Sequence, residues 1–224
     1  MKSEAFRIRT KKTGGQVDEN RRTCSLGGAW QIDVIQSLHG RLRDATALVH
    51  ERMHGHDGFG AIKNGTIDKT SYTQILCRLY GFYRPFERET GISAVRSRWL
   101  GQDLGDLGLD DTLREKIRDC AGIPRLQTAH GRLGALYVVA GSALGGRQLA
   151  RGLDHLFPPD ETAGRRFFLG HGAQTGAVWR DYLAQLAAVP PDDTHTQAEI
   201  VDAAIDTFAV FERWALGWKD AAHG

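Results

Sequence analysis

The sequence LGALYVVAGSALGGRQLAR, residues 133–151, decides the fold class of this chain. It is mostly apolar over several helical turns, and it carries Gly141, Gly145 and Gly146 inside the helical pattern. Each of these glycines costs a helix about 1 kcal/mol relative to alanine. Gly141 and Gly145 lie one turn apart on one face, where bare backbone allows either a flat ligand or a neighbouring helix to approach closely. The pattern predicts a helix over about residues 133–156.

A second helix is predicted around the sequence LRDATALVHERM at residues 42–53. Apolar residues recur there at intervals of three and four, which is the spacing of one buried stripe on an amphipathic helix. We expect this helix to cover about residues 32–54 and to end at Gly55, Gly58 and Gly60. The stripe consists of Ile35, Leu38, Leu42, Ala45, Val49 and Met53.

The rest of the chain also has helical periodicity, and no segment shows the alternation of a half-buried strand. The segment 69–89 is apolar nearly all round, which predicts a helix deep in the core with Pro85 at a kink or local break. Residues 1–29 are polar and basic, so we expect a flexible N-terminal extension ahead of a single all-α domain over residues 30–220. Further helices are predicted over residues 95–107, 110–120, 160–188 with an interruption near 170–176, and 196–218, the last burying Val201, Ile205, Phe208, Phe211, Ala215 and Trp218.

Composition and charge narrow the function classes. The formal net charge is +2, a bias too weak to favour nucleic acid or a membrane surface as a partner. The longest apolar stretch is too short and too rich in glycine to span a bilayer, and the N-terminus lacks the apolar segment of a signal peptide. Three cysteines without CxxC spacing indicate reduced thiols. We therefore expect a cytoplasmic protein.

His50 is the first candidate site residue. Neutral imidazole is a common axial ligand of heme iron, and Arg43 lies two turns earlier on nearly the same face, roughly 10 Å along the helix axis. That separation suits a metal at the centre of a porphyrin and a carboxylate at its edge. Residues 50–54 also read HERMH, the H-E-x-x-H spacing of zinc peptidases, although no third ligand is evident. A zinc hydrolase with Glu51 as base therefore stays open as an alternative.

These segments, together with several others, resemble the heme oxygenase family, especially its bacterial biliverdin-producing branch. The resemblance extends over roughly residues 38–214, and the motifs follow in the family's order and with matching gaps. LRDATALVHERM is similar to the family's proximal helix, in which the histidine binds iron, and LGALYVVAGSALGGRQLAR to its distal helix. The other motifs are YGFYRPFE (80–87), WLGQDLGDLG (99–108), RRFFLGHG (165–172), Trp179-Arg180 and FAVFERW (208–214).

The resemblance implies that heme, as both substrate and cofactor, lies between the proximal and distal helices. It assigns the iron to His50, the heme propionates to Arg43 and Arg180, and the opposite heme face to the three distal glycines. With oxygen and electrons from an external donor, such as ferredoxin or a reductase, the family opens heme to biliverdin, carbon monoxide and ferrous iron. The bacterial branch is often associated with bacteriophytochromes, which would receive the biliverdin.

Three positions depart from the family pattern. Ser142 stands where the animal enzymes have a water-organising aspartate, so it has at most a water-positioning role beside Gly141 and Gly145 at the catalytic centre. Ala140 replaces a glutamate that is common in the bacterial branch, and His54 replaces a carboxylate. A heme-binding sensor or carrier without turnover therefore remains an alternative to the enzyme, as does a purely structural helical module.

Overall fold

Helices make up the regular structure of the chain. In the computed structural model, which describes residues 36–158 and 160–222, the periodic segments fold as helices and no strand occurs. The predicted all-α fold is therefore confirmed. The predicted extension 1–29 lies outside the described residues and stays a prediction. The helices are α1 (Leu38–His54), α2 (Asp57–Lys63), α3 (Lys69–Thr90), α4 (Val95–Asp106), α5 (Asp111–Glu115), α6 (Ala129–Arg151), α7 (Arg166–Leu169), α8 (Thr175–Ala187) and α9 (Thr194–Leu216).

Helix α3 lies at the centre of the main hydrophobic core. Tyr72 and Phe82 are completely buried on it, as expected for a helix that is apolar nearly all round. Pro85 lies inside the helix, and the helix is not broken there. A proline at this position cannot donate to the carbonyl of Gly81. That carbonyl accepts instead from the backbone N–H of Cys120 at 2.8 Å, so the hydrogen bond that the proline removes is replaced.

Helix α9 supports both α1 and α6. Phe208 of α9 packs with Met53 of α1 and Val138 of α6 in one buried cluster. The close approach of α6 depends on Gly134, because a Cβ there would collide with the backbone carbonyl of Ile200. Since both helices pack against the same residue of α9, that helix fixes their spacing.

Two predictions about α1 and α9 are corrected. Helix α1 begins at Leu38, because the Oγ of Ser37 accepts from the backbone N–H of Gly40 at 3.1 Å and caps the helix. The predicted residues 32–35 lie outside the described part of the chain. Ile205, which the pattern predicts to be buried, is 39% exposed, because it lies beside the stripe of α9 that packs against the other helices.

The sequence pattern does not predict helix α2: Gly55, Gly58 and Gly60 are expected only to end the first helix, but Asp57–Lys63 forms a helix of its own. His56 caps it, with Nδ1 accepting from the N–H of Phe59 at 3.2 Å and Nε2 bonded to the carbonyl of Ala215 at 3.1 Å. Gly58 is buried against Ile75, so this glycine serves packing. The segment is therefore structured by a side-chain cap and a close contact, neither of which the periodicity reveals.

The glycine-rich helix α6 begins earlier and ends earlier than predicted. Thr128 caps it by accepting from the N–H of Gly131 at 2.9 Å, and the helix stops before Gly152. The predicted helix 110–120 is much shorter, as α5, whereas the predicted interruption near 170–176 does separate α7 from α8. Within the described ranges no helix is both long and apolar enough to cross a membrane.

Candidate functional site

His50 lies on α1 beside Phe208 of α9, with the two ring centres 6.4 Å apart. Its side chain remains accessible, as an axial ligand must be. Partial desolvation of the imidazole on its side facing Phe208 lowers the pKa of His50, and the nearby imidazole of His54 lowers it further. His50 is therefore mostly neutral at neutral pH, which is the state in which imidazole binds a metal.

The glycines of α6 fall into two groups. A Cβ added at Gly141 or Gly145 would meet no atom of the described residues within 4 Å, so these two glycines leave one face of the helix bare. A Cβ at Gly146 would come within 2.6 Å of the carbonyl oxygen of Phe168 on α7, so packing explains this glycine. The structure thus separates Gly141 and Gly145 from Gly146, whose contact with heme stays a prediction.

Helix α7, which packs behind α6, is anchored by a buried carboxylate. Asp103 is completely buried and accepts from the backbone N–H groups of Arg166 and Phe167 at 2.9 Å each. Burial raises the pKa of Asp103 to about 6, and these hydrogen bonds and the Arg166 guanidinium limit the rise. The anchor holds Phe168 against Gly146 and so fixes the position of α6 from behind.

The two arginines predicted to bind the propionates lie near the contact between α1 and α8. Trp179 of α8 packs against His39 of α1, with ring centres 5.7 Å apart. Arg180 follows Trp179, and Arg43 lies one turn after His39; both arginines are exposed. Arg43 forms an ion pair with Asp44 at 3.2 Å, and such an exposed pair is too weak to prevent binding of another carboxylate.

Tyr83 is a functional candidate that the sequence pattern hides among the apolar residues of α3. It is 3% exposed, and its phenol lies beside the hydroxyl of Ser142. Burial raises the pKa of Tyr83, and the Arg96 guanidinium and the Ser142 hydroxyl oppose the rise. Ser142 donates to the carbonyl of Val139 at 2.9 Å, so its oxygen remains free to accept a hydrogen bond.

The donor set fits a metal held by one axial imidazole better than a closed metal site. The described part of the chain contains no group of three or more His, Cys, Asp and Glu side chains that could hold a metal ion. The H-E-x-x-H segment supplies only His50 and His54 there, so the zinc hydrolase alternative lacks its third ligand. An accessible imidazole, a bare helix face and exposed arginines suit a flat metal macrocycle that carries carboxylates. The residues present therefore fit heme.

The fold is a helical bundle, and its candidate site combines a histidine-bearing helix with a glycine-rich one, as a class of proteins that bind a heme-like ring would require. Comparison with known proteins agrees with this assignment. A model of the heme oxygenase family matches residues 36–216. A heme oxygenase of Xanthomonas campestris pv. campestris (strain 8004) is 32% identical over 137 residues, which are 56% of this chain and 78% of that protein.

Two solved structures share the fold. Heme oxygenase-1 from the cyanobacterium Synechocystis sp. PCC6803, in complex with heme, has a TM-score of 0.62 and 20% identity, over 80% of this chain and 90% of that one. Heme oxygenase from Leptospira interrogans has a TM-score of 0.64 and 18% identity, over 80% of this chain and 98% of that one. The chain belongs to the heme oxygenase family. It is an enzyme that degrades heme, and heme is both its substrate and its cofactor.

Proposed function

We propose that this enzyme opens heme at a meso carbon, using oxygen and electrons from an external donor, and forms biliverdin, carbon monoxide and ferrous iron. One observation carries the proposal: α1 with its accessible His50 and α6 with the bare faces of Gly141 and Gly145 rest on the same helix, α9. When bound, heme supplies the iron at which oxygen is activated and the carbon that is oxidised. The residues of the chain bind and orient the ring and hold the hydrogen bonds around it.

His50 would hold the heme iron through one imidazole nitrogen. Because its pKa is lowered by burial and by His54, few protons compete with the metal at neutral pH. Phe208 contacts the imidazole edge to face, with an interplanar angle of 76°. This contact restricts the rotation of the ring and so presents one nitrogen in a defined direction.

Gly141 and Gly145 let the backbone of α6 approach the second face of the ring. Ser142 holds a water there, since its hydroxyl proton is used by the Val139 carbonyl and its oxygen can accept from a water molecule. Tyr83 stays protonated because burial raises its pKa, so it can donate to the Ser142 oxygen or to that water. These hydroxyls position a water without providing the carboxylate of the animal enzymes.

Arg43 and Arg180 would bind the propionates and so fix the orientation of the heme. Charge-assisted hydrogen bonds from guanidinium to carboxylate are strong enough to select one orientation. That orientation would select the meso carbon of heme that is oxidised. We therefore assign the choice of biliverdin isomer to this pair.

The remaining partners follow from the reaction and from the resemblance. Ring opening consumes electrons, so the enzyme needs an external donor, for which ferredoxin or a reductase is our choice. The resemblance to the bacterial branch makes a bacteriophytochrome a receiver of the biliverdin. Cys77 and Cys120 are buried free thiols, which supports a reducing compartment and hence the cytoplasm.

The test is a titration of the purified protein with hemin, followed by addition of ascorbate or a ferredoxin reducing system in air. We expect a Soret band that saturates at one hemin per chain, its loss on reduction in air, and a broad red biliverdin band. His50→Ala should lose the normal axial ligation, whereas His195→Ala, which removes an exposed histidine of α9, should behave as the parent.

Three results would contradict parts of the proposal. A stable Soret band without ring opening would identify a heme carrier or sensor, with Ser142 and Ala140 as the first positions to change. Absence of hemin binding would refute the site altogether. An unchanged spectrum and full activity in His50→Ala would refute the assignment of the ligand.

A further inference from the structure

His50 and His54 form a pair of imidazoles of which heme binding uses only one. They are one turn apart on the same face of α1, and their ring centres are 4.5 Å apart at an interplanar angle of 80°. Both side chains are exposed. Both imidazoles are therefore accessible to an ion from solvent.

The separation of the rings suits one shared ion. Two imidazoles that bind the same ion through nitrogen bonds of about 2.0–2.1 Å have ring centres roughly 4.5–5 Å apart. The neighbouring Arg52 donates to Glu212 at 2.5 and 2.8 Å, so its positive charge is neutralised beside the pair. Glu51 adds a carboxylate between the two histidines in the sequence. The local charge thus favours a cation.

The described residues offer no group of three or more metal-ligating side chains, so water would complete the coordination of an ion held by this pair. Two neutral nitrogen ligands bind divalent first-row transition metals, with iron(II) among the weaker and zinc among the tighter. A site of this kind exchanges its ion readily, because few protein ligands must be released. It is suited to passing an ion on and unsuited to storing it.

We propose that His50 and His54 together hold the ferrous ion that ring opening releases, before it leaves the enzyme. This inference rests on the proposed function. Opening of the macrocycle would remove the ring as a stable ligand set for the ion, and His50 would remain as a protein ligand. His54 then provides a second nitrogen, with no change in the charge or oxidation state of the ion. The chemical class of the ligand is a divalent first-row transition metal ion.

The experiment uses the heme-free full chain and Zn²⁺ alone as the probe, followed by isothermal titration calorimetry. We expect one ion per chain, and a loss of affinity of at least about tenfold in either His50→Ala or His54→Ala, because each leaves one ligand in place of a chelating pair. His195→Ala is the matched control and should bind Zn²⁺ as the parent does. Circular dichroism verifies that the variants keep their helix content, which we expect because both histidines are exposed.

A second measurement addresses iron directly. In a single turnover with a colorimetric ferrous chelator present, His54→Ala should release iron to the chelator severalfold faster than the parent. Zinc binding that is equally tight in His54→Ala, absence of zinc binding in the parent, or unchanged iron release in the variant would each overturn the inference. The zinc titration needs no heme, so its failure beside an intact hemin complex refutes this site alone. Absence of hemin binding would refute the proposed function instead.

Discussion

The two groups of glycines in α6 lead to a prediction in which the same substitution has opposite effects. Gly141→Ala adds a methyl group where the described residues leave the space within 4 Å empty, and Gly146→Ala adds one within 2.6 Å of the Phe168 carbonyl oxygen. Both variants gain the same helix propensity of about 1 kcal/mol. That gain cancels when the two are compared, so the difference between them is the steric cost at Gly146, about 1–3 kcal/mol for overpacking against a backbone atom.

The assay is thermal unfolding of the heme-free variants, followed by circular dichroism. Gly141→Ala should unfold at a higher temperature than the parent, and the two variants should differ in Tm by roughly 2–12 °C for a chain of this length. Gly141→Ala should nevertheless bind hemin more weakly than the parent, because its new Cβ lies on the face of α6 against which we propose that the ring binds. We expect its affinity for hemin to fall at least about tenfold. Gly145→Ala should behave like Gly141→Ala.

Two results would refute this reasoning. Equal destabilisation of Gly141→Ala and Gly146→Ala without heme would mean that the face of α6 at Gly141 is packed in solution. Unchanged hemin affinity in both Gly141→Ala and Gly145→Ala would mean that the ring does not lie against this face, and the proposed site would be wrong in its distal half.

Three further predictions follow from ionisable groups. Burial raises the pKa of Cys77 to about 11, so its thiol should resist alkylation at pH 8 until the protein is unfolded, as peptide mapping by mass spectrometry can measure. The pKa of Asp57 is lowered to about 2, chiefly by the hydrogen bond from the Lys219 ammonium. In an unfolded chain the pKa of an aspartate is about 3.9. The unfolded chain therefore binds more protons between these values. Asp57→Asn should cost no more than about 1 kcal/mol above pH 4, and in denaturant titrations the difference from the parent should shrink as the pH falls below 4 and disappear only below pH 2. Arg43→Ala and Arg180→Ala should each change the ratio of biliverdin isomers, measured by chromatography; a parental ratio in both would contradict their role in orienting heme.

Much of the helical framework can be predicted from the sequence because it depends on local patterns. Helix α3 has nearly the predicted bounds, since its core residues lie on all sides and Asp68 caps its start through the N–H of Ser71 at 2.8 Å. The continuation through Pro85 could not be predicted in this way. It depends on Cys120, far along the chain, which satisfies the carbonyl that the proline leaves without a donor.

The residues of the candidate site also differ in whether local sequence or distant contacts determine their surroundings. His50 and the glycines can be found from spacing and from the resemblance to a family, but adjacent Gly145 and Gly146 differ only in what lies opposite them. Nothing in the sequence distinguishes Tyr83 from Tyr80 in the same aromatic segment, and its relation to Ser142 depends on how α3 packs near α6. Non-local contacts therefore decide which of the predicted residues face the ligand and which support the fold.

The open face of α6 at Gly141 and Gly145 bears on the stability of the heme-free protein. Leu144 lies between Gly141 and Gly145 in sequence and is 47% exposed, so α6 presents a half-exposed apolar side chain beside bare backbone. Both features limit the stability of the heme-free protein, since a half-exposed leucine gains only part of the free energy of burial and the two glycines weaken the helix by roughly 2 kcal/mol together. A ring bound against this face would cover both, and ligand that binds only the folded state stabilises it in proportion to the logarithm of its concentration over Kd. If the ring binds there as proposed, releasing the opened product would remove that stabilisation and leave the heme-free chain as the less stable form.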